Sequence, residues 1–241
     1  MTWPPPASCR LLIFEGIMGS GKSTATRRYG ERIAASGLQV AAYTEAADPH
    51  PVRASDDLAD PFRPWSLVSA SELSLRIREK WARYVQGRLA DEVFTVMDGQ
   101  LFHGDLSNLF MMEMAPADIA VHAADLMRVL APLDPTLVYL RQHDVGRAMR
   151  TVFQARGPRW EAYQLGWKLH SPYATRRLFA GLGGLTSMYQ DYRSLTDTLF
   201  EALDCRKLAI ETDGGNWPAY YTQVDEVLRQ ARVPLSPPPT P

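Results

Sequence analysis

The run Gly16-Ile17-Met18-Gly19-Ser20-Gly21-Lys22-Ser23 constrains this chain more than any other stretch, because it satisfies G-x-x-x-x-G-K-[ST] at every fixed position. Its surroundings are those such a loop needs. Leu11 to Phe14 form a short apolar run ending at Glu15-Gly16. From Lys22 to Ser36 the residues Ala25, Tyr29 and Ile33 recur at four-residue spacing, with Gly37 as a stop. The pattern reads as strand, glycine turn, helix. There, glycines let successive amides turn inward around a phosphate, and the helix start adds unsatisfied N–H groups and a positive dipole end. Gly16, Met18, Gly19, Ser20 and Gly21 are thus expected to line a cradle for a polyphosphate. Lys22 would reach the β- and γ-phosphates, Ser23 would meet Mg²⁺, and Thr24 would lie near the α-phosphate. The implied ligands are a nucleotide polyphosphate and Mg²⁺. The plainer alternative is a glycine turn before an ordinary helix.

The rest of the chain repeats the strand-then-helix alternation. Gln39 to Tyr43, Val93 to Met97, Leu137 to Leu140 and Leu208 to Ile210 read as four further strands, the first of these as a buried one. Asp48 to Pro64 is rich in Pro and Asp and reads as a loop. Leu73, Ile77, Trp81, Tyr84, Val85 and Leu89 mark the inner stripe of a long helix. Further helical patterns cover Ala117 to Leu130, Val145 to Ala155, Tyr173 to Leu203 and Ala219 to Ala231. Such alternation predicts an α/β fold of three layers, α/β/α, with a five-stranded parallel sheet whose carboxyl edge faces the ligand. Residues 9–233 are expected to form one domain, between flexible proline-rich ends at 1–8 and 234–241.

Charge and cysteine content narrow the classes. Of 241 residues, 27 are acidic and 26 basic, so there is no bulk positive field for non-specific nucleic-acid binding. Two cysteines, Cys9 and Cys205, supply neither a disulfide framework nor a zinc site. No window is long and apolar enough to span a membrane, and a cytoplasmic protein is expected. The basic residues are almost all arginine; only Lys22, Lys80, Lys168 and Lys207 are lysine.

The cradle by itself does not separate kinase, GTPase and motor ATPase. An N-K-x-D guanine reader is absent, and the third strand ends Met97-Asp98-Gly99-Gln100 without an acidic pair. Both absences favour small-molecule phosphoryl transfer. Leu12 to Thr24, LIFEGIMGSGKST, resembles the first strand and P-loop of thymidylate kinase and the related deoxynucleoside kinases. Tyr43-Thr44-Glu45-Ala46 stands where that family's second strand ends in a carboxylate, and Val96-Met97-Asp98 where its third strand ends in the Asp of a D-R motif. Leu137 to Arg150 is similar to the strand and helix leading into its arginine-bearing lid, with Arg156-Gly157 where the lid arginine lies. Leu208 to Val224 resembles its last strand, adenine-side loop and closing helix. The chain departs from the family at Met18, where the family has Asp, at Gly99, where it has Arg, and at Glu45-Ala46-Ala47-Asp48, where it has Glu-Pro-Gly-Gly. The resemblance therefore implies the P-loop NTPase fold and the ATP chemistry more than the acceptor.

The resemblance and the residues together give a set of roles. Lys22, Glu45, Asp98, Arg150 and Arg156 are the candidate catalytic residues, with a lid at about 147–160, and Ser23 and Asp98 the candidate metal ligands. Glu45 would accept or orient an acceptor hydroxyl; lid arginines would face charge on the transferring group. Arg147 and Arg159 are lesser lid candidates. His103, Asp105 and Asn108 are candidates for substrate contact, and Trp65, Trp81 and Tyr84 for stacking on a planar acceptor, although a Trp on a helical stripe is ordinarily core. Asp213-Gly214-Gly215 is expected at the adenine edge. The expected function is a kinase moving the γ-phosphoryl of Mg·ATP to a hydroxyl or phosphate of a nucleoside, nucleotide or similar metabolite. The alternatives are a specialised antibiotic or secondary-metabolite kinase, and a nucleotide-binding regulatory module. The partner is a small acceptor, and the long helices are compatible with a homodimer.

Overall fold

A computed structural model describes residues 9–237. Five strands, β1 (Leu11–Glu15), β2 (Val40–Tyr43), β3 (Phe94–Asp98), β4 (Thr136–Arg141) and β5 (Arg206–Glu211), form one sheet in the order β2-β3-β1-β4-β5. Every pairing is parallel. Helices cover both faces, and the strand order is that of P-loop NTPases. The register aligns Phe14 with Asp98 and Glu15 with Tyr139, so the strands bearing the candidate residues end together at one edge.

Period-two alternation divides the apolar residues between two cores. Leu12, Phe14, Val96, Val138 and Ile210 point to one face, where α1 (Lys22–Ala34) and α9 (Trp217–Gln230) supply Tyr29, Ile33, Val224 and Leu228. Leu11, Ile13, Met97, Leu137 and Tyr139 point to the other. There they meet α2 (Ala70–Asp91), α4 (Pro116–Leu130), α5 (Val145–Arg156) and α8 (Gly181–Ala202). The second strand is not buried as expected: β2 forms an edge of the sheet and its side chains are half-buried or exposed.

Local chemistry explains the element ends. Ser69 caps α2 by accepting from the Glu72 amide at 3.1 Å, the S-x-x-E arrangement that satisfies a first-turn donor. The inner stripe of α2 is buried from Leu73 to Val85, whereas Leu89 is 38% exposed and falls outside it. The helix expected from Tyr173 to Leu203 is two: α7 (Pro172–Arg176) and α8, separated where Leu178 and Gly181 take positive φ. A left-handed residue cannot continue a right-handed helix. Two elements went unread: α6 (Pro158–Lys168), set off by Gly157 and begun by a proline at its first turn, and a π-helical turn over Gln100–Leu106 leading into α3 (Ser107–Met111). Of the tail expected from 234, Ser236 is held against α1, its amide donating to the Arg32 carbonyl and its carbonyl accepting from Arg32 Nε. Residues 238–241 of that tail and residues 1–8 lie outside the described residues. Among the described residues no helix is long and apolar enough to cross a membrane.

Trp81, fully buried on α2, donates its indole N–H to Asp105 Oδ2 at 2.7 Å, and Gln100 Nε2 donates to Asp105 Oδ1 at 2.8 Å. This joins the helix to the π-turn. Trp81→Phe keeps most of the apolar volume but removes one donor from a buried carboxyl. It should lower stability by about 1–3 kcal/mol in urea unfolding, whereas Leu89→Ala, on the exposed side of the same helix, should leave the midpoint nearly unchanged.

Candidate functional site

The glycine loop joins β1 to α1 as the sequence implies. Lys22 is buried, and its Nζ donates to the Ile17 carbonyl at 3.0 Å, so the ammonium group lies folded over the loop. Gly21 has φ 95°, and the indole of Trp217 occupies the place where a Cβ would stand. Gly99, directly after Asp98, has φ 64°, and a Cβ there would come 2.7 Å from Lys22 Cε. A glycine at 99 is thus favoured twice, by the left-handed backbone and by the passage of the lysine stem. Ser20 is buried with an unpartnered hydroxyl, Ser23 is half-buried and Thr24 is exposed. Met18 is buried, and its side chain reaches the wall of the neighbouring cleft.

Asp98 and Glu45, at the ends of the adjacent strands β3 and β2, come together: the Glu45 amide donates to Asp98 Oδ2 at 3.5 Å. Asp98 is buried, which pushes its carboxyl above the ordinary range; the Lys22 charge and a hydrogen bond from Ser23 pull it back, and the Glu45 charge pushes it up again. Its Oδ1 is buried and has no hydrogen-bond partner. That orphaned oxygen, on a carboxyl that also feels the Ser23 hydroxyl, suits a magnesium ion or its water shell, which takes few protein ligands and otherwise uses phosphates and water. Consistently, no group of three or more His, Cys, Asp or Glu among the described residues is arranged to enclose a metal.

Glu15 has a positional part. Its carboxylate is buried and accepts from the amides of Phe102 at 2.9 Å and His103 at 3.1 Å, tying the end of β1 to the π-turn. Burial pushes its pKa up to about 8, against those two amides and the Lys22 charge, which lower it. Tyr192 of α8 donates to the Phe102 carbonyl on the same turn. So held, His103 presents Nε2 to Glu45 Oε2 at 3.4 Å. Burial, with the charges of Lys22 and Lys168, lowers the imidazole's pKa well below its usual value, so the ring is neutral. π-Turns of this kind recur at functional sites because they re-aim side chains.

These groups stand at one side of a cleft of about 520 Å³. Glu45, Gly99, His103, Gly104 and Asn108 line one wall; Arg53, Ser55, Asp56 and Phe62 come from the proline-rich loop; and Trp160, Tyr163, Gln164, Trp167 and Lys168 come from α6. Phe62 meets Tyr163 edge-on and Trp167 at a tilt, with centroids 5.7 Å apart in each case. The candidate aromatics are elsewhere: Trp81 and Tyr84 belong to the α2 interface, Tyr84 bonded to Thr95, and Trp65 packs against the core. Asp105 is likewise turned into the interior, its pKa raised to about 7 by burial. Of the aromatics that do face the cleft, Phe62 comes from a loop, and Trp160, Tyr163 and Trp167 lie on a helix whose other faces are not distinctly polar, so their spacing does not stand out.

The arginines of the lid region are on the surface. Arg150 is exposed and its guanidinium lies by Gly146; Arg156 is exposed and lies over the Trp160 ring at 5.2 Å. Arg159 is exposed as well. Arg147 instead pairs with Asp213 at 3.1 Å, closing the loop after β5 onto the start of α5. None of the four lines the cleft. The cation that α6 does turn inward is Lys168, 5% exposed, with Nζ 4.1 Å from the Trp167 ring centroid and 5.4 Å from that of Tyr189. Comparison with protein-family models and with curated proteins finds no match to this chain.

Burial moves the Lys168 pKa from its ordinary 10.5 down to about 7, with Lys22 pushing the same way and Glu45 opposing. Between those values the unfolded chain binds a proton that the folded chain does not, so this group makes stability rise with pH from about 7 to 10. Lys168→Met should therefore raise stability near pH 7 by roughly 1–3 kcal/mol. It should also flatten the alkaline rise, as read from urea midpoints at pH 6, 8 and 10.

Proposed function

We propose that the protein is a small-molecule kinase that moves the γ-phosphoryl group of Mg·ATP to a hydroxyl or phosphate of a nucleoside, nucleotide or similar metabolite. The observation that carries the reading is the meeting of the glycine loop with the Glu45–Asp98 pair at the edge of a cleft large enough for such an acceptor. The resemblance of LIFEGIMGSGKST, Glu45 and Asp98 to thymidylate and deoxynucleoside kinases supports it.

In this reading the loop amides of residues 16–21 and the start of α1 bind the polyphosphate, and Lys22 exchanges the Ile17 carbonyl for phosphate oxygens. Ser23 and Asp98 would hold Mg²⁺, which offsets phosphate charge when bound. Glu45 accepts the proton of the attacking hydroxyl as the new O–P bond forms and the bond to the β-phosphate oxygen breaks, releasing ADP. The neutral His103 ring donates toward Glu45 and fixes its direction. Catalysis is then positioning and electrostatics in a site screened from water. Arg156, stacked on Trp160 at the cleft wall, is the lid arginine better placed to swing inward; Arg150 lies farther along α5.

A second reading is favoured by the aromatic wall of Phe62, Tyr163 and Trp167 and by Met18 and Gly99 on the acceptor side: a kinase for an antibiotic or other secondary metabolite. Incubation with Mg·ATP and a panel of deoxynucleosides, nucleoside monophosphates and hydroxylated antibiotics, followed by mass spectrometry, separates the two. Transfer to none of them, with tight nucleotide binding, would leave a nucleotide-binding regulatory module. Lys22→Ala should reduce turnover at least a hundredfold with an unchanged far-ultraviolet spectrum, and Gly99→Arg should do the same by displacing the Lys22 stem. Full activity in Lys22→Ala would end the kinase reading.

A further inference from the structure

Lys168 has the marks of a ligand-binding cation that no bound group yet explains. It is one of four lysines, it is 5% exposed, and it lines the cleft from the last turn of α6. Among the described residues no hydrogen bond or ion-pair contact reaches its ammonium group, which feels Glu45 only at a distance and rests on the faces of Trp167 and Tyr189. Buried lysines that serve packing alone are ordinarily paired, because an uncompensated charge in a low-dielectric interior is costly. The groups that act on it across the cleft are Glu45 and Lys22, and its own charge acts on His103. Arg53, the other cation of the wall, is already occupied by Asp56 and by the carbonyls of Glu45 and Ala47.

Lys22, folded over the loop with Nζ on the Ile17 carbonyl, and Lys168, which lines the cleft from the opposing helix, repel one another across the side of the cleft that holds Glu45. An anion between them would remove both their repulsion and the burial cost of Lys168. Resting on the kinase reading above, we infer that Lys168 is a catalytic residue that takes an oxygen of a phosphoryl group held between α6 and the glycine loop. It fills the place that the surface arginines of α5 were expected to fill. The phosphoryl group has two sources, the γ-position of the donor and a phosphate carried by the acceptor, and both present the same oxygens. As a rigid α6 residue, Lys168 also couples the aromatic wall of the cleft to the phosphate, so that seating of an acceptor against Trp167 and Tyr163 sets the cation in place.

Calorimetric titration of the wild type, Lys168→Met and Lys168→Arg tests this. The probes are Mg·ADP, the magnesium complex of β,γ-imido ATP, and thymidine monophosphate or inorganic phosphate added to the Mg·ADP complex. Lys168→Met should bind Mg·ADP within twofold of the wild type. If the donor is the source, it should bind imido ATP at least tenfold more weakly; if the acceptor is, the loss should fall on the monophosphate or phosphate instead. Lys168→Arg, which keeps the charge, should recover most of either loss and shows that folding is not the cause. Unchanged affinity of Lys168→Met for all these probes, beside normal Mg·ADP binding, would overturn the assignment and leave the kinase reading standing. A wild type that binds no nucleotide at all would instead end that reading, and this inference with it.

Discussion

The candidate site depends on one buried contact, the carboxyl group of Glu15 accepting the amides of Phe102 and His103. Taking a carboxylate out of water is unfavourable, and the two N–H bonds together with the nearby Lys22 charge offset that cost only in part, so the pKa of Glu15 stays raised to about 8. The consequence is geometric. Glu15 is the last residue of the central strand and the one before the glycine loop, so whatever it holds is set in register with the phosphate cradle. It holds the turn that carries His103, and His103 in turn meets Glu45 from the edge strand. Three neighbouring strands are thereby locked to one another at their carboxyl ends by side-chain chemistry, beyond the ladder that pairs them.

The same edge concentrates charge in an ordered way. Asp98 and Glu45 would repel if both were bare, and burial already disfavours ionisation of Asp98. Lys22 lies close to Asp98 and moderates that repulsion, while Lys168 on the far wall feels Glu45 as its one attractive neighbour. A site with two acidic and two basic groups around a gap is frustrated when empty. A magnesium-bound polyphosphate carries the complementary arrangement, cation toward the carboxylates and oxygens toward the lysines. The aromatic surfaces of Phe62, Tyr163 and Trp167 fall on the side away from the loop, where an acceptor's apolar face would be desolvated.

Much of the fold was legible because its signals are local. The apolar runs, the glycine motif and the four-residue spacing on α1 each arise within a dozen residues, and together they dictate parallel strands joined by helices. Asp98 and Glu45 were legible for a related reason: a residue ending a strand is placed by that strand. The acceptor wall was not, since it is assembled from the proline-rich loop, the π-turn and α6, and no one of these shows a period that announces its inner face. Trp160, Tyr163 and Trp167 lie at spacings of three and four on α6, but Leu165 and Gln164 interrupt the stripe and Gly157-Pro158 reads as a break. The direction of the arginines was not legible, because charge on an amphipathic helix says only which face is polar; the structure gives Arg147 to Asp213 and turns Arg150 and Arg156 to the surface.

The departures from the kinase pattern become intelligible once the path of Lys22 is followed. Its stem runs over Gly99, so the position after Asp98 has no space for a side chain, least of all an arginine. An arginine there, as in the thymidylate kinase pattern that the sequence resembles, would supply a cation at the strand end. Here the chain turns at Gly99 into a π-helix whose wider coil brings His103, four residues on, against Glu45. A neutral imidazole can orient a carboxylate but contributes no charge, and the positive charge missing from the strand end is found instead on Lys168. The glycine after Asp98 at one wall and the buried lysine of α6 at the other thus leave this cleft with its inward cation on the helix and none at the strand end.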